Sequence, residues 1–447
     1  MQSRVLQAGL SLALLLVAAW MTLRYGMIGD GQVGTAMSVG LLMLGAWLAG
    51  LLFERVHLPK ISGYLVFGVA VGPWALALIS DEQAQVDLQF ISDLAIALIA
   101  LTAGGEIRLN WLRGQMKQIS LITGMKLLIV WAVMGLAVFA AAWYIPGIKD
   151  APLNLRIVLA ALTGLVAAAN SPAVVIAMIS EYQATGPLSR TVLAVTIFKD
   201  MLMVVLFATT LAVGRGMVAD DGAISPAFLL AVGVQLIGSI VLGGLCGAVM
   251  AWYVHRIQAH LVFFVVGWCM LFALVGELQL SLAGQSFHLE PLLLGLAAGL
   301  VMQNLWPDES APLFETVEQM SLPVYCLFFA LAGAKLNVGV LIELWYFVLI
   351  LVAVRAAAVW AAVTPAARWG GVEPPARQRM WLGLIPQAGI ALALAALVEN
   401  AFAIDQAKPV LNLLIGMIAV NQLIGPIGFR YALLSAGEAQ QTAKGHR

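Results

Sequence analysis

Apolar runs of roughly twenty residues, separated by short polar connections, recur along the whole chain. A helix of about that length spans the ~30 Å hydrocarbon core of a bilayer, whereas a barrel strand shows only ~10 residues of alternating polarity. The pattern predicts fourteen helices, at roughly 6–27, 34–53, 61–79, 87–104, 118–144, 155–180, 189–213, 226–253, 259–280, 288–303, 318–333, 340–365, 379–399 and 409–434. About a dozen polar residues follow, and no soluble domain is expected. The chain reads as an all-α polytopic membrane protein of 13–14 transmembrane helices. It forms one transmembrane domain over 1–435 with a short cytoplasmic tail over 436–447.

Composition narrows the function classes. The 447 residues are 62% hydrophobic and only 10% charged, against ~25% charged in a soluble protein. Net charge is zero, so no nucleic-acid partner is expected. The cysteines Cys246, Cys269 and Cys326 lie in apolar segments without a Cys-x-x-Cys pair, and the five histidines lack metal-ligand spacing. No nucleophile–base pair or phosphate loop is evident, so neither enzyme chemistry nor a cofactor is expected. The first apolar run lacks a convincing cleavage pattern after Trp20 and reads as a retained helix. With the N-terminus placed in the cytoplasm, fourteen basic residues fall on the cytoplasmic side and six on the other. Lys126, Lys199 and Arg355 are left within the membrane. This positive-inside bias and the even helix count both put the two termini in the cytoplasm. The predicted loop 304–317 departs from the rule, carrying Asp308, Glu309 and Glu315 with no basic residue.

The chain also resembles itself. Ala103-Gly104 aligns with Ala332-Gly333 at an offset of 229, and the same offset carries Lys126 onto Arg355. An offset of 227 carries Gly68 and Gly72 onto Gly295 and Gly299. These pairs lie seven predicted helices apart, an odd number, so the halves (roughly 61–213 and 288–435) are inverted. Inverted repeats with a midplane site mark secondary transporters. Each half also holds an interrupted helix: Ala169-Asn170-Ser171-Pro172 in the first, Ile385-Pro386-Gln387-Ala388-Gly389 in the second. Proline removes a backbone donor and clashes with the preceding turn. Irregular backbone at membrane depth is tolerated where it lines a cavity or lies within protein. A simple kink at Pro172 is the alternative.

Within the run Leu188–Val213 the only charges beyond Arg190 are Lys199 and Asp200. An intramembrane charge faces a protein interior or a water path. A carboxylate able to take either a proton or a cation is the minimum equipment of a proton-coupled transporter. Counted along their helices at 1.5 Å per residue, Asn170, Asp200 and Arg355 all fall near mid-membrane. The expected site places Asp200 as the exchangeable carboxylate. Asn170, Ser171 and freed carbonyls serve as neutral ligands, and Thr196 adds a hydroxyl one turn before Asp200. Arg355 either steadies the broken helices or competes for Asp200. The alternative is that Asp200 is a structural ion-pair partner of Lys199 or Arg355, although adjacent helix residues point about 100° apart and pair less well than i, i+4 residues. Lys126 is expected to snorkel to the cytoplasmic face.

These residues resemble the cation/proton antiporter superfamily, nearest the branch of Kef-type and sodium/proton antiporter membrane domains. The resemblance runs from about 55 to 435. It is carried by Leu58–Leu65 with Gly72-Pro73, by Leu101–Glu106, by Ala169–Val174, by Phe198-Lys199-Asp200, by Arg355, by Leu384–Gly389 and by Asn421–Pro426. It implies two crossed, interrupted helices and a homodimer in a bacterial inner membrane. Each subunit would have a dimerisation domain and a mobile core working by an elevator-like motion. It further implies Na⁺, K⁺ or Li⁺ exchanged for H⁺ at Asp200 in the service of pH homeostasis, with membrane lipid as surroundings. Pro172, Pro386 and Gln387 belong to the breaks, with Arg355 stabilising them. Two departures matter. Lysine precedes the aspartate where the family has aspartate, asparagine or glutamine, and the first break reads Asn-Ser where one branch has Thr-Asp. Lys199 is then a second proton carrier, a residue turned away from the ion, or a tethered substitute for Na⁺.

A monovalent cation/proton antiporter is the leading expectation. The alternative is a proton-coupled anion or organic-solute carrier that uses Lys199 and Arg355 to attract a negative group. A non-transporting sensor would need an output surface that the chain does not supply.

Overall fold

The computed structural model describes residues 32–439 apart from 81, 106–107, 145–148, 150, 219–225, 258–259, 283–284, 288, 337, 340–343, 375, 389–390, 393, 396–397 and 399–407. The expected first helix, 6–27, Glu106 and most of the tail lie outside the described residues. The described chain is almost wholly helical. Six of its helices are long and apolar enough to cross a membrane. A seventh span is a bent pair, and four shorter apolar helices accompany them.

The chain divides into two compact units. Unit 1 takes residues 1–106, 243–276 and 291–338, and unit 2 takes 107–242, 277–290 and 339–447. Each unit is built from separated stretches of sequence.

Unit 1 begins with α1 (Gln32–Arg55), α2 (Lys60–Val71) and α3 (Gln89–Gly105), the last preceded by a π-helical turn at Gln83–Asp87. The predicted helix 61–79 stops at Val71. Gly72 is extended (φ −69°, ψ 177°), because Pro73 disfavours a helical conformation in the residue before it. Unit 2 then supplies α4 (Leu109–Ala141), α5 (Leu153–Ala167), α6 (Pro172–Glu181) and α7 (Pro187–Val218). The boundary between the units falls inside α8 (Pro226–Arg256). After α9 (Leu261–Glu277) comes a short antiparallel hairpin, β1 (Leu280–Leu282) with β2 (Gln285–Phe287), where only a loop was expected. α10 (Pro291–Leu305) and α11 (Pro307–Ala334) complete unit 1, and α12 (Trp345–Trp369), α13 (Ala376–Gly383) and α14 (Lys408–Ala436) complete unit 2.

Two predicted boundaries need correcting. The acidic stretch 304–317 is not a loop but the first half of α11. Pro307 occupies the first turn, where its missing N–H costs nothing, and Asp308 lies where the helix dipole favours negative charge. The helix bends by 49° between Ser310–Val317 and Leu322–Ala334, beside Pro323. Helix α4 starts at Leu109, nine residues before the predicted 118.

Glycine sets the packing of unit 1. A Cβ on Gly68 or Gly72 of α2 would meet the backbone of Ala330 or Ala334 on α11. One on Gly295 or Gly299 of α10 would meet Ala97 or Leu101 on α3. The four glycines aligned at an offset of 227 therefore make the same kind of backbone-to-backbone contact. In unit 2, Gly164 of α5 packs against Gly135 and Trp131 of α4, and Trp131 Nε1 donates to Ala161 O at 2.8 Å.

Gly68→Ala should lower stability by about 1–3 kcal/mol, since the neighbour that must yield is backbone. Gly40→Ala on α1, where nothing lies within 4 Å, should be neutral or gain about 0.5–1 kcal/mol. Thermal unfolding read by reaction of the buried thiols Cys269 and Cys326 with a fluorogenic dye compares the two. Equal melting would mean that the α2–α11 crossing is looser than described.

Candidate functional site

The site lies wholly in unit 2 and is built around two gaps in the backbone. The first separates α5 from α6. Ala168–Ser171 are non-helical, and α6 starts with Pro172 while the Ser171 hydroxyl accepts from Val174 N at 3.3 Å. Serine as N-cap followed by proline is a helix start. Pro172 therefore begins a new helix instead of kinking an old one. The second gap follows α13. Ile385–Ala388 are non-helical, and helix resumes by Ala391 and Leu392. The gaps meet where Ser171 N donates to Pro386 O at 2.8 Å.

Arg355, fully buried on α12, joins them. Its Nε donates to the carbonyl of Ala167, the last residue of α5, at 2.7 Å, and its Nη2 to Ala169 O in the first gap at 2.8 Å. Its Nη1 donates to Ile385 O in the second at 2.8 Å. A helix end leaves carbonyls without intrahelical donors, and the guanidinium fork satisfies three of them. Arg355 steadies the breaks and does not compete for Asp200. Gln387 Nε2 reaches towards Val166 O and Ala167 O at 3.4 and 3.5 Å, long for hydrogen bonds. Its Oε1 accepts from Asn421 Nδ2 on α14 at 3.0 Å.

Lys126 is not at the membrane surface. It is fully buried, and its Nζ donates to Ala168 O and Asn170 Oδ1, each at 2.9 Å. The earlier start of α4 explains the correction. Lys126 lies seventeen residues after Leu109 and fifteen before Ala141, at mid-helix and too deep to snorkel. The signal was present in the sequence, because the repeat pairs Lys126 with Arg355 and both cations bind carbonyls of a broken segment.

The remaining members follow from α7. Asn170 Nδ2 donates to Thr196 Oγ1 at 2.6 Å, and that hydroxyl donates to Val192 O at 2.8 Å. Lys199 Nζ donates to Asn170 O at 3.2 Å and lies 2.5 Å from Asp200 Oδ1. Lys199 thus faces the site and pairs with its neighbour despite the angle between adjacent positions. Lys199 is the one close polar partner of Asp200 among the described residues, and no other donor reaches either carboxylate oxygen. The cluster holds three buried cations, Lys126, Lys199 and Arg355, against one buried carboxylate, Asp200. Asn421 is the contributor that the sequence reading left out of the site. Among the described residues no group of His, Cys, Asp and Glu could hold a metal ion.

Residues 40–434 match the family model described as sodium/hydrogen exchanger, transmembrane. The chain is 23% identical over 312 residues to "Probable Na(+)/H(+) antiporter 2" of Methanocaldococcus jannaschii, covering 68% of this chain and 69% of that one. It is 23% identical over 410 residues to the Na(+)/H(+) antiporter NhaS5 of Synechocystis, covering 87% of this chain and 53% of that one. It is 27% identical over 242 residues to the glutathione-regulated potassium-efflux protein KefC of Klebsiella pneumoniae, covering 52% and 36%. The alignments thus span only about half of NhaS5 and a third of KefC. Two structures of the sodium proton antiporter MjNhaP1 from Methanocaldococcus jannaschii superpose with TM-scores of 0.65 and 0.68 at 18% and 19% identity. They cover 90% and 91% of this chain and 98% of the other. At that identity they establish the all-α polytopic antiporter fold alone. With the family model spanning nearly the whole described chain, the protein belongs to the transmembrane sodium/hydrogen exchanger family, a family of cation/proton antiporters and not of enzymes.

Proposed function

We propose that this protein exchanges a monovalent cation, Na⁺ or K⁺, for H⁺, with Asp200 as the carboxylate that binds one or the other. The observation that carries this reading is the state of Asp200. It is a buried carboxylate beside a broken helix, held among the described residues by Lys199 and by no second donor. A carboxylate fixed by several donors would be structural, whereas this one can release its single partner. In the cycle, a cation displaces Lys199 from Asp200 and takes the carboxylate with the Asn170 carbonyl and Thr196 hydroxyl as neutral oxygens. After release on the other side, the carboxylate takes a proton. Lys126 and Lys199 act as tethered cations, occupying oxygens that the transported ion would otherwise use. The relatives named as Na(+)/H(+) antiporters and a potassium-efflux system favour a monovalent cation as substrate.

Unit 2 contains every site residue, so it can carry the site as one body in elevator-type alternating access. The proposed assembly is a homodimer in the bacterial inner membrane with cytoplasmic termini, serving pH homeostasis. The bias of basic residues supports that orientation, and the glycines matched at one offset support inverted halves over 61–213 and 288–435.

One observation favours the alternative of a proton-coupled anion or organic-solute carrier. Three buried basic residues stand against a single buried carboxylate. Varying the added ion separates the two readings.

The purified protein in liposomes with a trapped pH dye and a preset pH gradient should respond to Na⁺ or K⁺ chloride. Asp200→Asn should reduce that response to the level of empty liposomes. A response that follows the anion at constant cation would overturn cation exchange. Lys199→Asn should raise cation-dependent flux if Lys199 competes with the substrate, and unchanged or lower flux refutes that role. Arg355→Gln should lose three charge-assisted hydrogen bonds and at least about 3 kcal/mol of stability. Arg355→Lys should fall in between, and thermal unfolding measures both.

A further inference from the structure

An apolar groove lies on the outer face of α4 and α5 and contains no residue of the polar cluster. It has a volume of about 720 Å³ and is walled by Leu128, Trp131, Leu136, Phe139 and Ile157. Its floor is low because Ala132, Gly135, Ala160 and Ala161 are small and because Gly164 lets α5 press against α4. On α4 the lining positions run from 128 to 139, which is about 16 Å of helix. That is roughly half of a ~30 Å hydrocarbon core, the depth of one leaflet.

The groove has a polar head. At its shallow end the α4–α5 connection exposes Trp143 and Tyr144, 57% and 78% accessible, as interfacial aromatics do. Arg156 sits in the first turn of α5, one residue before the lining Ile157 and one turn before Ala160. Its guanidinium lies 4.5 Å from the Trp143 ring centre. Its Nε and Nη1 have no hydrogen-bond acceptor, and among the described residues no carboxylate pairs with it. Lys149, exposed in the same connection, adds a second positive charge. Buried donors of a charged group are rarely left without partners.

We propose that this groove binds a single anionic phospholipid, its acyl chain along α4 and its phosphate at Arg156. An apolar trough one leaflet deep suits a lipid chain. A cation with spare donors at its interfacial end selects a negatively charged headgroup, because charge-assisted hydrogen bonds to phosphate are the strong ones. A second copy of this chain would cover the trough but would leave the guanidinium without an acceptor unless it also brought a carboxylate.

The test is thermal unfolding of the detergent-purified full chain with added phosphatidylglycerol, phosphatidylcholine of the same chain length, or soluble glycerol phosphate. Phosphatidylglycerol should stabilise more than phosphatidylcholine, and glycerol phosphate should do little. Arg156→Gln should raise the half-saturating concentration of phosphatidylglycerol about tenfold and leave that of phosphatidylcholine unchanged, while Arg156→Lys keeps part of the preference. Ala132→Phe, which fills the exposed floor, should weaken both lipids. The proposal is overturned if wild type shows no preference, if Arg156→Gln keeps it, or if glycerol phosphate reproduces the full effect. Cysteine cross-linking at Ala132 that joins two copies through this face would equally overturn it.

Discussion

Two helices that stop inside a membrane present the central problem of this fold, and Arg355 is its main solution. Each stop frees carbonyls that have no water to bond. One guanidinium reaches Ala167, Ala169 and Ile385, so both gaps share a single donor group and each helps to fix the position of the other. Arginine suits this task because its planar fork holds several acceptors at fixed angles and it stays charged. Lys126 does the equivalent for Ala168 and the Asn170 side chain. The Ser171–Pro386 hydrogen bond closes the junction.

This solution has an electrostatic consequence. Satisfying carbonyls with cations loads the site with positive charge, and Asp200 is the one buried group that offsets it. Removing one partner of a buried ion pair is far more costly than pairing both. In the structure the Lys199–Asp200 pair leaves the carboxylate buried, with no other donor on it among the described residues. In the proposed cycle this makes the lysine a gate on the site.

Much of this was legible in the sequence, for identifiable reasons. Pro172 and Pro386 announced the breaks because proline cannot donate within a helix. Lys199 and Asp200 stood out because charge is scarce in an apolar run. Lys126 was misplaced because its depth was counted from a helix start nine residues too late; apolar content thins between Leu109 and Gln118, yet the backbone remains helical. The acidic stretch at 308–315 reads as a loop for a similar reason, although Pro307 and Asp308 suit the first turn of a helix. Hydropathy marks where a helix is in lipid, not where it begins. Asn421 escaped notice because an amide in an apolar helix acquires meaning only from its partner, Gln387.

The longer reach of α14 explains how α7 is held in register with the breaks. At one point on α14, Asn421 grips Gln387 of the second gap. Just past its end, the Glu438 carboxylate accepts from Leu188 N and Ser189 N, the first turn of α7, where the helix dipole favours an anion. Thr185 N also donates to Glu438 O. Fifteen residues separate Asn421 from the end of α14 at Ala436, about 23 Å of helix. Asp200 lies twelve residues beyond Leu188, about 18 Å back along α7. The carboxylate and the gap are thus linked by two nearly rigid rods joined at one clamp. The position of α7 is thus fixed at two places, by the Glu438 clamp at its start and by Asn170 with Thr196 and Lys199 beside the first gap.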